Sequence, residues 1–158
     1  MLKIWISTLL VSCGVAHAAA PVVSCDKAYA AEVSRPGLLA ITGQDGKFSH
    51  VKIGHHVDGG SFSQDDRYLI LYGMPAQANP QSPQTNFLTL YKLGGQPKTI
   101  VRRVYGGGIY SADFSADGKF VAVTTRIGVD ILDVKKISFE SHDPAYTPKF
   151  PLQACDRH

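Results

Sequence analysis

The sequence predicts an all-β fold made of open antiparallel meanders, and three observations lead to that expectation. The first is residues 108–134, which read GIYSADFSADGKFVAVTTRIGVDILDV. Two tight turns divide this stretch into three apolar runs, and Asp117-Gly118 between alternating apolar residues is a hairpin signal because glycine takes positive φ at no steric cost. The second is internal repetition. Residues 61–72 (SFSQDDRYLILY) follow the same pattern as residues 113–124 (DFSADGKFVAVT): Phe-Ser, a free residue, Asp, Asp or Gly, a basic residue, an aromatic, then apolar residues. Ser63 and Ser115 stand 52 positions apart, a spacing typical of stacked or radial β architectures. The third is punctuation: Gly, Pro and Asp clusters recur between short apolar runs along the chain.

Taken in order, the chain opens with an export signal over residues 1–20. Lys3 precedes an apolar run from Ile4 to about Val11, and small residues with A-x-A sites follow at Ala16–Ala18 and Ala18–Ala20. The run is too short to span a bilayer. A lipobox at Leu10-Val11-Ser12-Cys13 is the alternative, but it would leave the A-x-A sites without a purpose. The expectation is therefore soluble export to a bacterial periplasm and a single β domain over 21–158. Cleavage removes Cys13 and leaves Cys25 and Cys155, an even pair that predicts one disulfide in an oxidising compartment.

Without Lys3 the chain carries 15 basic and 13 acidic side chains, which excludes a strong electrostatic case for nucleic acid. Arg102-Arg103 and Lys135-Lys136 are isolated pairs, suited to solvated edge strands.

Residues 26–34 (DKAYAAEVS) fit either a short helix capped by Asp26 or an edge strand. Pro36-Gly37 makes a turn, and Leu38–Ile53 a hairpin around Gly43–Gly46. His55 and His56 beside Asp58 read as two solvated loop histidines, because adjacent strand residues point to opposite faces and cannot share one metal ion. Residues 73–85 (GMPAQANPQSPQT) form a polar, uncharged loop with three prolines, long enough for a compact domain to suggest a functional role. Strands follow over Asn86–Leu93 and Lys98–Val104. Tyr105-Gly106-Gly107-Gly108 lacks the Lys-Ser/Thr and the helix of a phosphate loop and reads as a strand connector. Ile137–Phe139 pairs briefly, and the tail from Ser141 runs extended.

The F-S-x-D-G-K-aromatic pattern resembles the inner-strand turn of WD40-like and TolB-type propeller blades. Residues 113–124 match it well, and in residues 61–72 Asp66 replaces the glycine. The resemblance implies blade-like antiparallel sheet. About ten strands, counted as two blades plus the Leu38–Ile53 hairpin, are too few for a closed ring of four or more blades. The expected architecture is thus an incomplete propeller or a two-sheet sandwich, with exposed edges available to a protein partner or to a homodimer.

No G-x-S-x-G, H-E-x-x-H or P-loop occurs, so the expectation is a non-catalytic protein without cofactor or metal. In overall plan, a small exported β domain with one disulfide resembles the periplasmic immunity proteins that neutralise type VI secreted peptidoglycan amidases. That resemblance implies a loop docked in the amidase cleft. The candidate contact residues are Gln77, Asn79, Gln81 and Gln84 in the proline-bearing loop, and Tyr105 and Tyr110 around the glycines, tyrosine being a favoured interface anchor. A periplasmic scaffold or adaptor is the alternative. A glycan or small-molecule cleft built from Tyr68, Tyr72, Tyr91 or Tyr110 is weaker, because strand alternation sends some of these inward.

Overall fold

The computed structural model describes residues 20–77, 80–81 and 84–155. The expected signal sequence lies almost wholly outside the described residues, as does Asn79. Twelve strands form three four-stranded antiparallel sheets in simple meander order. Blade 1 holds β1 (Val22–Val23), β2 (Tyr29–Arg35), β3 (Leu38–Gly43) and β4 (Phe48–Lys52). Blade 2 holds β5 (Gly59–Phe62), β6 (Tyr68–Gly73), β7 (Asn86–Lys92) and β8 (Lys98–Tyr105). Blade 3 holds β9 (Ile109–Phe114), β10 (Phe120–Thr125), β11 (Val129–Asp133) and β12 (Ser138–His142). None of the sheets closes on itself, and no helix occurs among the described residues.

Two expectations are corrected here. Of the two alternatives for residues 26–34, the strand holds and the helix does not: Tyr29–Arg35 is β2, paired with β3 from Tyr29↔Gly43 to Arg35↔Leu38, so tertiary pairing overrides the alanines' helix propensity. The Leu38–Ile53 hairpin is the outer half of a complete blade, which replaces the sandwich alternative with three radial sheets.

Blade 1 is complete because it carries a third copy of the repeated turn, Ser24-Cys25-Asp26-Lys27-Ala28-Tyr29. The three turns are built alike. Ser24, Ser63 and Ser115 are each buried, and each hydroxyl donates to the aspartate two residues on at 2.7 Å. The same hydroxyls accept the backbone N–H of Tyr29, Tyr68 and Phe120 at 2.9–3.0 Å. The fourth residue of each turn has positive φ: Lys27 at 61°, Asp66 at 53° and Gly118 at 68°. Only Gly118 adopts it without strain.

Side-chain alternation packs the blades against one another. Leu69 and Leu71 of β6 meet Ala31, Leu39 and Ile41 of blade 1, while Ile70 points the other way to Phe114, Val121, Val123 and Leu132 of blade 3. Blade 2 is therefore buried on both faces, which explains its unbroken apolar run. Each such leucine or isoleucine contributes roughly 1.5–3 kcal/mol.

The chain after β12 turns back over the outer face of blade 3. Tyr146 and Phe150 pack on Phe120, Ala122 and Ile131, with the Phe120 and Phe150 rings stacked 5.2 Å apart. Ser115 then bridges Leu152, and Cys155 joins Cys25 of blade 1 in a disulfide. Between them, Gln153 donates its backbone N–H to Phe114 O at 2.8 Å and its Nε2–H to Phe62 O at 3.2 Å, with the same amide against Cys25 Sγ. One residue thus ties the ends of all three blades.

Candidate protein-binding face

Antiparallel meanders send their connections alternately to two ends. The repeated turns, the β3–β4, β7–β8 and β11–β12 turns and the disulfide lie at one end, here the turn end. The other, the loop end, holds residues 36–37, 53–58, 74–77, 80–81, 84–85, 106–108 and 126–128.

At the loop end the proline-bearing loop is anchored at its start. His56 N–H donates to Met74 O at 2.8 Å, Ala76 N–H to Gly54 O at 3.2 Å and Met74 N–H to Asp58 Oδ2 at 3.0 Å. Gly73 permits this, because a Cβ there would lie 2.1 Å from His56 O. The loop is anchored at its end too: Asn86 Oδ1 accepts Ile109 N–H at 2.7 Å, which brings residues 84–86 against the glycine connector. Gln77, Gln81 and Gln84 are exposed, and Gln84 Oε1 accepts from Arg126 Nη1 at 3.4 Å.

Tyr110 is 64% exposed and held at its backbone by the Tyr72 hydroxyl, which donates to Tyr110 O at 3.0 Å. Tyr105 differs. It ends β8 inside the core between blades 2 and 3, and its hydroxyl donates to Asp130 Oδ2 at 2.9 Å. The loop and Tyr110 therefore share one end of the molecule, whereas Tyr105 supports that end from beneath. Burial together with the Asp130 carboxylate pushes the Tyr105 hydroxyl pKa far up.

His55 also departs from expectation. It is 4% exposed, with Nδ1 2.6 Å from His56 O and Nε2 2.9 Å from Thr89 Oγ1. Burial lowers its pKa, which keeps the ring neutral. Only His56 is the solvated loop residue expected from sequence. Among the described residues no three His, Cys, Asp or Glu side chains are grouped to hold a metal ion.

Sequence reasoning missed the apolar part of this face. Met74, Val104 and Ile127 are 47%, 62% and 72% exposed, and like Tyr110 each lies in or within two residues of a loop-end connection. Ile127 sits in the β10–β11 turn beside Gly107. Its signal was an isoleucine between Arg126 and Gly128, where a turn favours polar residues. Asp130 was also missed, although a carboxylate inside the run Val129–Leu132 is a visible exception to its surroundings.

No protein-family model matches the sequence, and no curated protein matches it. The structure, however, is similar to solved β-propellers. The β-propeller domain of Cps50 (Swd1) from Myceliophteria thermophila superposes with a TM-score of 0.54 at 15% identity, covering 78% of this chain and 40% of that one. The blades are those of a β-propeller. The β-propeller domain of the Trilobed protease from Pyrococcus furiosus, with open velcro topology, gives a TM-score of 0.53 at 11% identity, covering 84% of this chain and 43% of that one. The propeller-type chain thus spans about two fifths of the length of these structures. No helix among its described residues is long and apolar enough to cross a membrane.

Proposed function

We propose that this chain is an exported, non-catalytic protein-binding module whose loop end docks on a partner, and that it serves as a periplasmic immunity protein occluding the cleft of a secreted peptidoglycan amidase. The observation that carries the docking reading is the grouping of exposed Met74, Val104, Tyr110 and Ile127 with the uncharged Gln77, Gln81 and Gln84 at one end of the sheets. Apolar groups rimmed by hydrogen-bonding groups are the composition of an interface centre. The disulfide and the signal-like N-terminal pattern support export. The amidase target rests on resemblance in overall plan.

Affinity purification of the tagged chain from the envelope of its own bacterium tests this reading. A single stoichiometric partner that hydrolyses peptidoglycan, and that stops doing so at equimolar chain, is the expected result. Several substoichiometric envelope proteins would instead assign the chain to the adaptor reading. A Tyr110→Ala/Ile127→Ala variant should bind that partner at least tenfold more weakly, at about 1.4 kcal/mol per factor of ten. Undiminished affinity would remove the loop end from the interface.

A further inference from the structure

Between blades 2 and 3 the loop end opens into a cavity of about 240 Å³, bounded by the end of β8, the β10–β11 turn and the β11–β12 pair. Arg103, Tyr105, Thr125, Asp130, Ser141 and His142 supply its polar groups, with Val104 and Ile127 at its apolar lip. Arg103 is held from three sides. Its Nη2 is 3.0 Å from Asp130 Oδ2, its guanidinium carbon lies 4.1 Å from the Phe139 ring centroid, and the Tyr105 ring is 5.4 Å away.

One guanidinium nitrogen is therefore engaged, and Asp130 is also satisfied by the Tyr105 hydroxyl. The other N–H groups of Arg103 meet no acceptor among the described residues, and its side chain remains 35% exposed. A guanidinium fixed in a planar clamp with spare donors is pre-organised to receive a carboxylate through paired hydrogen bonds. Beyond the Asp130 carboxylate in the cavity and Glu140, whose Oε1 is 3.6 Å from the lining His142 Nε2, the wider charge distribution agrees. At the turn end, Asp45, Asp65, Asp117 and Asp133 each pair with a nearby lysine or arginine. At the loop end, exposed Arg102 and Arg126 face no carboxylate among the described residues, and the Arg126 contact is an uncharged amide.

From this geometry we infer that the cavity is a carboxylate-binding pocket, and that an aspartate or glutamate side chain of the docked protein partner fills it. The source of the carboxylate rests on the docking reading above; the carboxylate chemistry rests on Arg103 alone. The lip formed by Val104 and Ile127 would cover the aliphatic stem of that side chain.

The test is titration of the ¹⁵N-labelled chain with N-acetyl-glutamate methylamide, against N-acetyl-glutamine methylamide as the uncharged isostere. Saturable millimolar shifts at the Gly106, Gly128 and Ser141 amides, at least fivefold weaker for the glutamine analogue, are expected. Arg103→Lys should weaken the glutamate analogue about tenfold, since the charge remains and the fork is lost. Because removing Arg103 leaves Asp130 buried and unpaired, the neutral double variant Arg103→Gln/Asp130→Asn provides the null in a folded protein, with its melting curve as the check. Equal shifts for both analogues, or shifts that persist in the double variant, would overturn the pocket assignment. Submicromolar affinity for the free glutamate analogue would assign the pocket to a small acid and overturn the partner source. The Tyr110→Ala/Ile127→Ala result is independent of these readouts, so failure of the pocket and failure of the docking face can be told apart.

Discussion

The two ends of the sheets differ in how completely they satisfy themselves. At the turn end, the aspartates of the repeated turns are satisfied locally, although Gln153 Oε1 is buried without a partner: Asp117 accepts from Ser115, from the Lys119 backbone and from the Lys119 ammonium. The Lys119 and Ser115 bonds hold its carboxyl down to about 2. Blade 2 repeats the scheme with Asp65 and Arg67, and blade 1 repeats the serine–aspartate part of it. At the loop end, Arg102 and Arg126 pair with no carboxylate among the described residues, and apolar side chains face water. One end has the chemistry of a closed scaffold and the other that of a surface prepared for company. Function is readable here as chemistry the fold leaves unspent.

The largest test of this contrast removes the covalent tie. Replacing Cys25 and Cys155 with alanine releases a crosslink 130 residues apart, which in the chain-entropy account costs about 4–5 kcal/mol. The urea midpoint should fall accordingly while loop-end affinity is retained. An unchanged midpoint would mean that tail packing alone holds the turn end. Next, Gly73→Ala forces a Cβ into the His56 carbonyl at the loop end and should cost about 3 kcal/mol by overpacking. This one is expected to lower both the melting temperature and partner affinity, because the proline-bearing loop starts there.

How much of this was legible beforehand follows from particular residues. The turn chemistry of blades 2 and 3 could be read because Phe62-Ser63 and Phe114-Ser115 stand before nearly identical strings. Its third copy escaped because Val23 replaces the phenylalanine and Ala28 the basic residue, while Cys25 drew attention as a disulfide partner. The Cys25–Cys155 pairing was legible from count and compartment. The glutamine loop and Tyr110 could be placed on the surface by composition, but Tyr105 could not be placed in the core, since one residue separates a strand end from its loop. The Arg103–Asp130 clamp joins blades through space, and no local pattern encodes it.

Smaller effects sharpen the likeness of the three turns. Ser24→Ala, Ser63→Ala and Ser115→Ala each remove a buried hydroxyl with two bonds and should each cost about 1–2 kcal/mol. Agreement among the three, measured by chemical unfolding, would establish their equivalence. A cost confined to one blade would show that the likeness is geometric only.

The smallest backbone effect, about 1 kcal/mol, concerns Asp66, a turn residue that takes positive φ without being glycine. Burial, then the Asp26 charge, raises its pKa from 3.8 to about 6. A folded-state value above the unfolded one means that the charged form is disfavoured in the native protein. The penalty is fully present above pH 6, falls as the folded carboxyl takes up its proton, and is gone below about pH 4. Asp66→Gly should therefore stabilise at pH 7.5 through both charge and φ, the φ part being about 1 kcal/mol. Near pH 4 only the φ part should remain. Melting temperatures at the two pH values separate them, and an equal gain at both would exclude the charge effect.

Gln153 has a kinetic consequence. Each blade is assembled from neighbouring hairpins, whose loops, the β6–β7 connection apart, are short and close quickly. The side-chain amide that joins the blades reaches Phe62 across 91 residues and Cys25 across 128, so its contacts need loop closures nearly as long as the disulfide's. Three locally formed sheets should therefore exist before they are clasped. Pulse-labelled hydrogen exchange would register the interval as early protection in the strands and late protection at the Gln153 backbone N–H, which Phe114 O holds once the tail has docked.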